Sequence, residues 1–148
     1  MLFMKEIAGW FKQVAGAKME EVRIETVSIT SSLSMPKGLY LPVEEHPNFL
    51  AAIEQGAIAA LWNTDSPLPR SVPNDFPVFQ TQDLFDAFNM IAANYKKKIE
   101  QEEWKEMTTF IFYQNDPSFN QYLPFHLDDE REMEQLFSSI NQYGKRRG

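Results

Sequence analysis

Cysteine is absent from the 148-residue chain, which excludes disulfides, thiol catalysis and Cys-based zinc or iron–sulfur sites. Histidine is nearly absent, with His46 and His126 the only two. Glycine occurs six times, at positions 9, 16, 38, 56, 144 and 148, and no two of these can frame a phosphate-cradling loop. A G-x-S-x-G elbow is also missing, which removes the Ser/His/Asp hydrolase reading. No stretch approaches the ~20 consecutive apolar residues of a membrane span. The apolar start Met1-Leu2-Phe3-Met4 is broken at once by Lys5 and Glu6 and does not resemble a secretory signal, so a cytoplasmic location is expected. Cations are in deficit: 14 Lys+Arg against 21 Asp+Glu leave a net charge of −7 and a pI near 4.8. Binding to a nucleic-acid backbone is driven by cation-rich surfaces, so no nucleic-acid partner is expected.

What remains has a globular composition, with 43% hydrophobic and 24% charged residues. A chain of this length can bury a core without staples and reads as a single domain, 1–148.

Helical and extended patterns alternate along it. Phe3, Ile7, Trp10, Phe11 and Val14 recur at helical spacing and predict an amphipathic helix over 3–15, stopped by Gly16. Val22 and Ile24, then Val27 and Ile29, alternate with polar residues as in half-buried strands, with a change of phase at Glu25-Thr26. A polar loop, 31–37, leads to a short strand, Leu39 to Val43, whose Pro42 belongs at an edge or at the strand's end. Asn48 to Gln55 reads as a helix and the apolar run Ala57 to Trp62 as a strand covered on both faces. The prolines of 63–74 mark a loop, followed by a strand at Phe76 to Phe79. Leu84, Phe88, Ile91, Ala92 and Tyr95 define the clearest helix, 83–99. Lys96, Lys97 and Lys98 suit its negative C-terminal end, which explains them better than a phosphate patch does. The charged stretch 100–106 extends or follows that helix. Thr109 to Tyr113 is a strand, Asn115-Asp116-Pro117 a turn, and 128–142 a final helix before a frayed tail. The fold class is therefore α/β. The stretch from Ile29 to Leu39 looks too short for a crossover, so a mixed β-sheet flanked by helices is expected.

The order and punctuation of these segments resemble the N-terminal domain of Mur ligases. Val27-Ser28-Ile29-Thr30-Ser31-Ser32 is similar to that family's V-S-I-D-S-R segment, and Pro36-Lys37-Gly38-Leu39-Tyr40-Leu41-Pro42 to its P-G-D-L-F-V-A strand. Phe49 to Leu61 is similar to F-I-x-x-A-I-x-x-G-A-x-A-V-L, and Pro77-Val78-Phe79 with Leu84 to Lys98 to the strand and helix that follow. The likeness spans about 4–99, leaving an added C-terminal strand and helix in 100–148. It points to the ligases that add the third residue, or D-Ala-D-Ala, to UDP-N-acetylmuramoyl peptides, whose first domain grips the UDP end of the substrate.

The resemblance implies a ligand site at Thr30, Ser31, Ser32, His46 and Asn48. The serine of the D-S-R motif is kept as Ser31, but Thr30 replaces the aspartate and Ser32 the arginine, with loss of a fixed cationic fork. The loop carrying the family's D-G-H element is shortened to Val43-Glu44-Glu45-His46-Pro47-Asn48, and two carboxylates stand near the expected pyrophosphate position. His46 aligns with that element's histidine, though a surface loop histidine before a proline is the simpler reading. His126, beside Asp128 and Asp129, offers a weak metal reading that a helix N-terminus explains better. The family's second domain opens with G-x-x-G-K-T, whereas Gln114 to Phe119 has neither glycine nor lysine. Nor does the chain have room for an ATPase domain and a C-terminal domain. It is thus expected to be no enzyme and to need no cofactor. The expected function is a non-catalytic protein-interaction or regulatory module with an unknown protein partner. The alternative is weak binding of a UDP-sugar or a UDP-N-acetylmuramoyl-type ligand.

Overall fold

The computed structural model describes residues 1–101, 107–114 and 121–147. The expected turn at 115–117 and most of the charged stretch 100–106 lie outside these. The elements run β1 (Leu2–Phe3), α1 (Met4–Trp10), β2 (Lys12–Ala15), β3 (Arg23–Ile24), β4 (Thr26–Ser28), β5 (Gly38–Tyr40), α2 (Phe49–Glu54), β6 (Ala57–Asn63), β7 (Val78–Thr81), α3 (Leu84–Gln101), β8 (Thr109–Tyr113), β9 (Tyr122–His126) and α4 (Glu130–Arg147). Seven strands form one sheet in the order β2-β7-β6-β5-β4-β8-β9, and β1 pairs with β3 in a small ribbon. Strands β7, β6, β5, β4 and β8 are mutually parallel, and both outer strands, β2 and β9, are antiparallel. The protein is thus α/β with a mixed sheet flanked by helices.

The mixed character arises at a different place from the one expected. β4 and β5, separated only by 29–37, pair in parallel. The intervening loop folds against the strand ends instead of forming a helix: Thr26 Oγ1 donates to Pro36 O at 3.0 Å and Met35 N to Gln55 O at 2.8 Å. The antiparallel pairs are the added outer strands, which satisfy backbone groups that β7 and β8 would otherwise leave open.

One outer strand corrects the first predicted helix. α1 stops at Trp10, Phe11 turns extended, and Lys12–Ala15 becomes β2 against β7. Phe11 and Val14 keep the spacing of a helical stripe, but in the extended chain positions three apart fall on opposite faces, and Val14 is left 47% exposed. Gly16 has φ +85°, and a Cβ there would collide with the Phe76 carbonyl, so it turns the chain away from this edge and does not cap a helix. β9 has no strand pattern in the sequence, because Pro124 interrupts it. As an outer strand it tolerates proline, whose missing N–H faces away from the ladder.

The two faces of the sheet carry separate cores. One packs Val27, Leu39, Leu61, Phe79, Phe110 and Phe112 against Ile7 of α1, Phe88, Ile91 and Tyr95 of α3, and Leu136 and Ile140 of α4. The other packs Tyr40, Ala60 and Val78 against Phe49 and Ala52 of α2. β6 is an interior strand, as its apolar run predicts, though Ile58 is only partly buried. Gly56 admits the chain to β6: its φ is +116°, and a Cβ would lie 2.7 Å from the Met35 carbonyl oxygen.

Both long helices run further than expected. α3 continues to Gln101, so Lys96 and Lys97 precede its last turn. Lys98 pins the N-terminus, pairing with Glu6 at 2.6 Å and donating to the Met1 carbonyl at 2.7 Å. α4 stays helical to Arg147 where a frayed tail was expected. The reason is a bidentate ion pair of Arg147 with Asp83, the guanidinium lying 4.9 Å from the centre of the Phe85 ring.

Candidate functional site

Winding from β4 through β5 and β6 to β7 takes the chain one way across the sheet, and β8 then returns to the other side of β4. The carboxyl ends of β4 and β8 therefore flank a topological switch point, the place where open α/β sheets form their ligand crevices. Thr30, Ser31 and Ser32 leave the end of β4 at this point. Ser28, the last residue of β4, shapes their turn: its Oγ donates to Thr30 O at 2.8 Å and accepts from Thr30 N at 3.1 Å.

The turn is occupied by the chain's own carboxylate. Glu44 Oε2 accepts from Ser31 N at 2.9 Å, and Oε1 accepts from Ser31 Oγ at 3.3 Å and Thr30 Oγ1 at 3.2 Å. The Tyr40 hydroxyl, at the end of β5, also donates to Glu44 Oε2. Four donors thus converge on one side chain, which is the environment an exogenous carboxylate or phosphate oxygen would require. Thr30 and Ser31 are buried and Glu44 is half-buried. Glu44 is expected from the sequence to stand at the mouth as a repelling charge. In the structure it is the occupant. Two buried hydroxyl residues after a strand were the available signal, since such groups require an acceptor.

The other predicted residues divide. Thr30, Ser31 and Ser32 come together, with Thr30 Oγ1 and Ser32 Oγ 2.8 Å apart. Asn48 joins through its backbone, its N–H donating to the Tyr40 hydroxyl at 3.1 Å. Its side chain is the N-cap of α2, with Oδ1 accepting from Ala51 N at 3.0 Å. His46 is exposed on the loop, as are Glu45 and Pro47. His126 lies on the edge strand, its Nδ1 3.3 Å from Thr109 Oγ1. Among the described residues no cluster of three or more His, Asp or Glu side chains is placed to hold a metal ion.

Aromatic residues complete the rim. Tyr122 stacks on Tyr113 at 5.0 Å and Tyr113 on Tyr143 of α4 at 5.1 Å. Ser139 Oγ donates to the Tyr113 carbonyl at 2.6 Å and fixes α4 over the end of β8. Burial raises the Tyr40 hydroxyl far above the ordinary phenol range, and its bond to Glu44 adds to this, so it stays a donor at any working pH. Burial likewise raises Tyr113, with the neighbouring Tyr122 and Tyr143 adding to it. Tyr122 is raised by burial and by the charge of Glu44, against hydrogen bonds with Tyr113 and Thr30 that lower it. The Glu44 charge adds to the rise at Tyr40 and Tyr113 as well, and a carboxylate in this position opposes a second anion.

No protein-family model, no curated protein and no solved structure matches this chain.

Proposed function

We propose that this chain is a non-catalytic protein-interaction or regulatory module, related to the N-terminal domain of Mur ligases, whose UDP pocket is closed by its own Glu44. The carrying observation is the set of four donors from Thr30, Ser31 and Tyr40 already spent on that carboxylate. The motif arginine that would add a cation is Ser32 here, and no glycine–lysine phosphate loop follows β8. In this reading β8, β9 and α4 occupy the side of the sheet that an ATPase domain would otherwise meet, and the chain works by binding a protein partner. A second reading, weak binding of a UDP-sugar or peptidoglycan precursor, is favoured by the position of the turn at the switch point. It requires Glu44 to swing out.

Titration of the 15N-labelled protein with UDP and with UDP-N-acetylmuramic acid separates the two. The first reading expects no shift at Ser31 at millimolar ligand. Saturable binding at low micromolar concentration that is lost in Ser31→Ala would replace it with the second.

A further inference from the structure

α3 and α4 pack on the same face of the sheet, and a groove of about 960 Å³ opens between them, away from the Glu44 turn. Its floor is apolar: Ile99 of α3, Met107, and Met133 and Phe137 of α4 are each only partly buried. Lys96 stands 5.3 Å from the centre of the Phe137 ring. Large apolar side chains held half-open between two helices are the usual receptor for a third. Methionines at two of the four floor positions let such a surface adapt to its occupant.

Charge decides what that occupant is. Glu100, Asp128, Glu130 and Glu134 line the groove, the last three gathered at the start of α4, against Lys96 and Lys145. Acidic residues at the start of α4 complement its macrodipole, but Glu134 lies beyond the first turn and Glu100 belongs to a different helix, so the dipole does not account for the group. Among the described residues the rim is net negative, on a chain whose total charge is −7, which repels a second copy. α4 has 18 residues, about 27 Å of helix, so the groove offers room for several turns of a partner helix.

We infer that the α3–α4 groove docks an amphipathic helix of a partner protein, with its apolar stripe on Phe137 and Met133 and Lys or Arg residues against the acidic end. This deepens the interaction-module reading and rests on it. The test uses two 18-residue helical peptides with the same leucine stripe, one flanked by Lys and the other by Glu at the same positions. The Lys peptide is expected to shift the resonances of Ile99, Met133 and Phe137, and to bind at least tenfold more tightly than the Glu peptide at low salt. The difference should shrink as ionic strength rises. Glu130→Lys with Glu134→Lys, both at exposed positions, should abolish or invert the preference without loss of fold by circular dichroism. Equal affinity of the two peptides, binding by neither, or shifts elsewhere on the surface would overturn the proposal. So would a concentration-dependent dimer that buries Phe137. Precursor binding at Ser31 would instead sink the interaction-module reading, and it is read at a separate set of resonances.

Discussion

Glu44→Ala is the perturbation that the site geometry describes most fully. It removes the acceptor of four hydrogen bonds at once. Thr30 Oγ1 can fall back on Ser32 Oγ, 2.8 Å away, so its loss is small. The Ser31 hydroxyl can turn to the Tyr40 oxygen, which leaves the Ser31 N–H and the Tyr40 O–H without the carboxylate, and each buried donor left unpaired costs about 1–3 kcal/mol. Water entering the vacated volume recovers part of this, giving a net destabilisation of about 2–4 kcal/mol. For a chain of this size that lowers Tm by about 4–16 °C, readable by calorimetry or by circular dichroism at 222 nm. The vacated donors should then accept a free carboxylate. At 0.5 M propionate and a Kd of about 50 mM, the variant would regain roughly 1.4 kcal/mol relative to the same concentration of chloride. The wild type should gain nothing from propionate over chloride. A Glu44→Ala protein as stable as the wild type, or equal propionate responses in both, would refute the view that Glu44 is held by these donors.

Leu61→Ala should cost about 2–5 kcal/mol in chemical denaturation, because Leu61 is fully buried on interior strand β6, whereas Ile58→Ala at its partly exposed position should cost visibly less. Asp83 is held below its usual carboxylate range by its hydrogen bond with Arg147, so its contribution is present above the unfolded-state value near 3.8 and is lost as pH falls through the lower folded value. Asp83→Asn keeps the α3 cap, since Asp83 Oδ1 accepts from Asp86 N at 2.9 Å, and should cost less than about 1 kcal/mol at neutral pH and nothing at strongly acid pH. Calorimetry with magnesium and ATP should give no heat of binding, and micromolar affinity would show that a nucleotide site exists without a phosphate loop.

Hydrophobic period carried much of the fold in the sequence. The stripe Phe88, Ile91, Tyr95 and the run Ala57 to Leu61 each admit one structure, and both are found as such. What the sequence hid are the two outer strands. Phe11 and Val14 continue the helical spacing of the stripe before them, and only the open edge of β7 draws 12–15 into a strand. Pro124 looks like a breaker until β9 is seen at an edge. At the site, the grouping of Thr30, Ser31 and Ser32 could be read from their adjacency after a strand. The part played by Glu44 could not, because the direction of a carboxylate on a loop depends on donors that come from Tyr40 and from the backbone of a distant turn. Tyr113, Tyr122 and Tyr143 meet only once β8, β9 and α4 are packed together, and no local pattern announces that.

The central claim is that Glu44 holds the place of an anionic ligand, and the most direct test compares UDP titrations of the wild type and Glu44→Ala, followed at the Ser31 amide. The account predicts a flat wild-type response at millimolar UDP and a new, saturable shift in the variant, because removing the carboxylate frees the donors and lifts the negative charge from the rim together. Saturable low-micromolar binding by the wild type, with no gain in Glu44→Ala, would contradict it.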